Sequence, residues 1–256
     1  MADSASPGDP TINYTLHLAD NSLIMGHRLS EWTGHGPMLE QDIAISNIAL
    51  DLIGQARHFY QYAAGLSGPE VSEDSLAYLR EDREFKNLLL LELPNGDWGK
   101  TIVKVFLFSS FQYCLYQALI KSSDSQLAAI AEKSLKEVTY HRRWSSEWMI
   151  RLGDGTRESH DRIQTALTDT WNYTGEMFSM TNYERTGLST QLTIDLVTLQ
   201  KDWNDFVLKV IAEATLSIDE TAWMHEGGKN GFHTEHLGFI LAEMQHLQRT
   251  FPGCAW

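Results

Sequence analysis

Residues 38–66, MLEQDIAISNIALDLIGQARHFYQYAAGL, constrain the fold of this chain more than any other stretch. Ile43, Ile45, Ile48, Leu50, Leu52, Ile53 and Phe59 surround most of a helix's circumference. A helix that is apolar nearly all round belongs inside a bundle of other helices. One polar line interrupts it. Asn47, Asp51, Gln55 and His58 recur at steps of four, four and three, which sets their side chains on one face. A satisfied polar network and a ligand-binding line both fit that pattern.

The rest of the chain follows the same period. Residues 1–12 are polar and read as a disordered tail, leaving 13–256 as one helical domain. Leu16, Leu23, Met25 and Leu29 carry a first helix over about 14–32, which Gly34, Gly36 and Pro37 stop. Gly65, Gly68 and Pro69 end the second. Residues 70–100 are mixed: SEDSLAYLREDREF reads as helical and LELPNGDWG as a turn-rich connection. Further helices are expected over about 99–121, 124–152, 159–180, 195–216 and 234–250. TNYERTGLSTQL and the glycine-rich DETAWMHEGGKNGF read as loops. None of the six prolines interrupts a long periodic segment, and strand-like alternation is missing. The fold class is all-α.

Composition removes several functions. A net charge of −14 argues against a nucleic-acid binder, which needs a basic face. Cys114 and Cys254 have no metal spacing and form no disulfide framework, which fits a reducing, cytoplasmic setting. The start MADSASPGDP has neither the basic nor the apolar part of a signal peptide. The most apolar run, TIVKVFLFSSF, is short and contains Lys104, so no membrane span is expected. Phosphate-loop, dinucleotide and nucleophile-elbow patterns do not occur.

A line ending in Gln-x-x-His on a bundle helix raises the question of iron. Ferritin-like di-iron sites take one Glu from each of two helices and Glu-x-x-His from each of two others. Of the ten histidines, His246 alone has Glu three residues before it, and it lies at the end of the chain. His58 has Gln55 there, and His141 has Val138, with Glu137 one step off. Residues 101–120 contain no Asp or Glu. Glu31, His58 and His141 are the remaining ligand candidates. That set could hold some metal ion but lacks the anionic oxygens that bridge two irons.

The stretches NSLIMGHRLSEWTGHGP, LEQDIAISNIALDLIGQARHFYQYAAGL, REDREFKNLLLLELPNGDW, KEVTYHRRWSSEWMIRLGDGT and GGKNGFHTEHLGFILAEMQHLQR, in this order, resemble the C-type subunits of bacterial phenylacetyl-CoA 1,2-epoxidases. The likeness covers nearly everything after Tyr14. It implies a ferritin-like four-helix bundle with additional C-terminal helices. It further implies pairing with a homologous catalytic A-type subunit that holds the di-iron centre. A small B-type subunit, and a reductase with flavin and an iron–sulfur cluster, would complete the system. The substrate would be phenylacetyl-CoA. This chain would be a structural component without its own cofactor, its site degenerate at Glu31, Gln55, His58 and His141. Those four side chains are expected to point into the bundle, with Arg28 and Arg57 as candidate partners.

The long anionic CoA could reach this chain. Arg83, Phe85, Lys86 and Asn87 suit phosphate and adenine, the helix start near Gln41 exposes amides, and Arg185 adds a cation. Trp256, Phe251 and the other aromatics suggest interface contacts, and self-association of the lone chain is expected. The alternative is a metal-dependent oxygenase in its own right.

Overall fold

The computed structural model describes residues 8–254 except Thr190. The first seven positions of the expected tail, and Trp256, lie outside the described residues. The tail is shorter than expected at its other end. Pro10 opens helix α1 (Pro10–Ser30), where Asp9 caps the chain by accepting from the Thr11 amide at 2.8 Å. Proline suits a first helical turn because its missing N–H would have had no partner there.

Helix α2 (Leu39–Ser67) folds back along α1 and ends at Gly68, whose φ of 114° favours glycine. A Cβ on Gly26 of α1 would sit 3.0 Å from Ile53 Cγ1, so a glycine there lets the two helices meet closely. A crossover follows, carrying α3 (Glu73–Tyr78) and α4 (Leu89–Glu92). Helices α5 (Trp98–Leu119) and α6 (Ser125–Gly153) form the second antiparallel pair. Asp97 and Asp124 cap them, accepting from Lys100 N and from Gln126 N and Leu127 N. Two hairpins joined by one long crossover make a ferritin-like bundle. By length and composition α5 could cross a membrane, but 78% of its most apolar window is buried, which makes it the core helix of the bundle.

The later helices cover the α5–α6 side and the crossover. They are α7 (Arg157–Trp171), α8 (Asn182–Ser189), α9 (Leu196–Glu213), α10 (Glu235–Met244) and α11 (His246–Thr250). Three expectations change here. The helix expected to reach 180 stops at Trp171, because Glu176 turns inward to accept from the amides of Leu89, Gly227 and Lys229. The expected loop TNYERTGLSTQL contains α8. Thr181 and Glu184 cap its start reciprocally: Glu184 Oε2 accepts from Thr181 N at 2.8 Å, and Thr181 Oγ1 accepts from Glu184 N at 3.3 Å. The last helix breaks at buried Gln245, whose amide donates to the Ala77 and Arg80 carbonyls.

Charges organise the crossover. Asp20 on α1 is fully buried and accepts from Tyr60 Oη at 2.5 Å, from Lys86 N at 2.8 Å, and from the Arg80 guanidinium. Arg80 also lies over the Phe85 ring, 4.2 Å from its centroid. Farther on, Arg28 donates twice to the Glu92 carbonyl, at 3.1 and 2.7 Å. Lys104 of α5 donates to the Leu93 carbonyl, and Thr101 Oγ1 to the Asn95 carbonyl. His233 donates from both ring nitrogens, to Glu92 Oε2 and to the Phe85 carbonyl, each at 3.0 Å. Burial opposes its charge, but the Glu92 carboxylate outweighs that and raises the imidazole pKa.

Lys104 has no such carboxylate. Burial, reinforced by Arg28, brings its pKa down to about 7. The unfolded lysine keeps its proton to about pH 10.4, so between the two values the unfolded chain binds more protons and stability rises with pH. Lys104→Met removes that gain. In urea unfolding, wild type should improve relative to the variant by on the order of 2 kcal/mol between pH 7.5 and 9. An equal difference at both pH values would show that Lys104 titrates normally.

Candidate functional site

Three of the four residues in the polar line of α2 face α6, each forming one rung, while Asn47 is exposed. Asp51 Oδ2 lies 2.9 Å from His141 Nε2, Gln55 Nε2 donates to Glu137 Oε2 at 2.9 Å, and Lys133 Nζ lies 2.7 Å from His58 Nε2. Residues 133, 137 and 141 are each one turn apart on α6, so the spacing that aligns the α2 residues also aligns their partners. The middle rung runs deepest. Gln55 is 1% exposed, and its Oε1 accepts from Tyr116 Oη at 3.2 Å and from Gln112 Nε2 at 3.4 Å, both from α5. Burial raises the Tyr116 pKa, so its hydroxyl stays a donor.

The donor set does not fit a carboxylate-bridged pair of metal ions. Around Gln55 stand one further amide, Gln112, the Tyr116 phenol and one carboxylate, Glu137, already hydrogen-bonded to the Gln55 N–H. His141 has its Nε2 against Asp51. The His58 pKa is lowered by burial and then by Lys133, so its Nε2 is the acceptor of the Lys133 ammonium. A cation held against that imidazole competes directly with any metal. Among the described residues, no group of three or more His, Cys, Asp or Glu could hold a metal ion.

Three of the four expected site positions therefore converge, at different depths: Gln55 and His141 are buried and His58 is half-buried. Glu31 does not join them. It caps the C-terminal end of α1, beyond the bundle interior, with its side chain 46% exposed. Arg28 Nη1 pairs with it at 2.8 Å and Asn95 Nδ2 donates to it at 3.0 Å. Arg28 is thus a partner as expected, whereas Arg57 pairs with Glu73 on the surface, 3.1 Å away. Sequence reasoning missed Lys133, Gln112 and Tyr116, and placed Glu137 beside His141 rather than Gln55. The four-residue steps 112–116 and 133–137 were the available signal.

The expected CoA contacts scatter. Gln41 is committed: its Oε1 accepts from Trp144 Nε1 at 3.2 Å and Trp148 Nε1 at 3.0 Å, and its amide donates to Met38 O at 3.0 Å. The helix start expected to bind an anion thus has no spare amide at that residue. Phe85 and Asn87 are fully buried, Phe85 under Arg80 and Asn87 against Glu92, so neither presents a surface to a ligand. Lys86 is half-buried, its ammonium 5.6 Å over the Tyr183 ring, and burial lowers its pKa. Arg83 and Arg185 are exposed. Surface grooves of about 530 and 410 Å³ lie along α3, α10 and α11 and include none of these six.

Gln55→Glu tests the middle rung. It sets two carboxylates at the separation now spanned by a hydrogen bond, so one must hold a proton to remain buried. The raised pKa makes the variant most stable at low pH and costs stability as pH rises. Its Tm should fall furthest behind wild type at pH 8, by the equivalent of about 1–3 kcal/mol, and approach it at pH 5. A gap independent of pH would rule out the carboxylate contact.

Two comparisons with known proteins bear on this site. The family model described as phenylacetic acid catabolic protein matches residues 3–256. The chain is 46% identical over 243 residues to the C subunit of 1,2-phenylacetyl-CoA epoxidase from Escherichia coli strain K12, spanning 95% of this chain and 98% of that relative.

Proposed function

The chain belongs to the phenylacetic acid catabolic protein family, and we propose that within it the chain is a non-catalytic structural component of a phenylacetyl-CoA 1,2-epoxidase. The carrying observation is Gln55: an amide bonded to Glu137, Gln112 and Tyr116 stands where a di-iron bundle needs a charged carboxylate. The neutral Gln55 amide has both its oxygen and its nitrogen hydrogen-bonded without metal, and it takes away the charge two irons require. The hydrogen-bonded ladder does the structural work of the lost centre by tying α2 to α6 and α5.

On this reading the ring chemistry belongs to a homologous di-iron protein, the A-type catalytic subunit. Electrons reach it from a reductase carrying flavin and an iron–sulfur cluster, and a small B-type subunit completes the system. This chain pairs with the catalytic subunit and holds its fold. Arg83, Lys86 and Arg185 are the three of the six expected contacts that keep some accessible cationic surface for the phosphates of CoA.

Iron content tests the reading. The chain, purified alone after expression with ample iron, should carry close to none, and it should co-purify with the catalytic subunit when the two are expressed together. About two irons per chain, the content of a complete site, would restore the alternative of an oxygenase in its own right.

A further inference from the structure

Two Asn-Gly pairs occur in the chain, Asn95–Gly96 and Asn230–Gly231. An asparagine before glycine is open to attack on its own side chain, because no Cβ shields the next backbone nitrogen. The fold decides which pair can react. Asn95 is 8% exposed, and its Nδ2 donates to Glu31 Oε2 at 3.0 Å and to the Arg28 carbonyl. Those bonds fix its side-chain amide in a buried place. Asn230 is exposed, and its side chain makes none of them.

The glycine at 231 is imposed by packing. Its φ is 81°, and a Cβ there would lie 2.3 Å from the Arg83 carbonyl oxygen. The same demand leaves the nitrogen beside Asn230 bare. One hydrogen bond guards that nitrogen, from Gly231 N to the Gly228 carbonyl at 3.0 Å. It belongs to a three-residue 3-10 helix, Gly228–Asn230. Opening so short an element costs little compared with unfolding the chain. The pair also lies between two anchored points. Before it, Glu176 Oε1 accepts from Gly227 N at 2.9 Å and Lys229 N at 3.1 Å. After it, Glu92 accepts from His233 Nδ1 at 3.0 Å and Thr234 N at 2.6 Å.

We propose that Asn230 is a site of spontaneous deamidation in the folded chain, and that its isoaspartyl product loosens the hold of Glu92 on His233 and Thr234. The Gly231 nitrogen loses its proton and bonds to Asn230 Cγ, and the Cγ–Nδ2 bond breaks to release ammonia. Water then opens the imide ring. Cleavage between Cγ and the Gly231 nitrogen gives aspartate. Cleavage between the main-chain carbonyl carbon and that nitrogen gives isoaspartate, whose main chain runs through Cβ and Cγ and is one atom longer. Water is the sole co-reactant. The extra atom falls between the two anchored points, so the spacing that satisfies both carboxylates is lost. The inference concerns the covalent chain and is independent of the oxygenase reading.

Peptide mapping by mass spectrometry tests it, on the full chain incubated at pH 8 and 37 °C in water enriched in heavy oxygen. In the folded chain, label at 230 should exceed label at 95 by at least about tenfold, and in urea the two should approach each other. An isoaspartyl methyltransferase should methylate the aged chain, and Asn230→Gln should remove nearly all of that signal. The Thr234 amide should exchange hydrogen faster in aged than in fresh protein. Freshly purified Asn230→Asp, which adds the charge without lengthening the chain, should keep the slow exchange. An Asn230 that stays intact in the folded chain while reacting in urea overturns the proposal, as does equal reaction at 95. Equal exchange of Thr234 in aged and fresh protein overturns the loosening.

Discussion

Asp20 is the carboxylate on which the crossover depends. A fully buried anion is tolerated only when its oxygens are fully engaged, and Asp20 meets that condition by drawing three parts of the chain to one point. Tyr60 comes from α2, Arg80 from the chain just past α3, and the Lys86 amide from the run before α4. Satisfying the charge therefore fixes the path of the segment between the two helical hairpins. The neighbouring carboxylates repeat the solution. Glu92 gathers Asn87, His233 and Thr234, and Glu176 gathers three backbone amides. Removing one partner from such a group costs about 3–5 kcal/mol where an uncompensated charge is left behind, so these clusters tolerate little change.

The ladder between α2 and α6 differs in kind. Its outer rungs are only partly buried, and its deep rung is mostly neutral. Gln55 can donate and accept at once, which lets it join Glu137 on one side to Tyr116 and Gln112 on the other. A carboxylate in its place could only accept when ionised. The amide at position 55 thus links α2 to both α5 and α6 through one side chain.

Long helices were legible because their apolar period is strong. Residues 38–66 and 99–121 came out within a few positions of α2 and α5, and the polar line of α2 was visible as a line. Its partners were not, because α6 meets α2 across 75 to 90 residues of sequence and periodicity carries no information about such pairs. Glu31 misled for a related reason: it follows His27 by one turn, but the helix ends there and turns the carboxylate outward. Helix α8 could have been found. Thr181 and Glu184 have the spacing of a reciprocal cap, which the surrounding loop-like composition concealed. Phe85 and Asn87 looked like ligand contacts because their neighbours are charged, yet the demands of Asp20 and Glu92 draw them into the core.

The clasp made by His233 has a bearing on how the chain is assembled. Its contact with Glu92 joins residues 141 positions apart, so the crossover is not completed until residue 233 has been made. Until then Glu92 lacks the His233 ring and the Thr234 amide, although both hairpins can already form from local contacts. Residues 233 and 234 are in that sense the final stitch of the crossover.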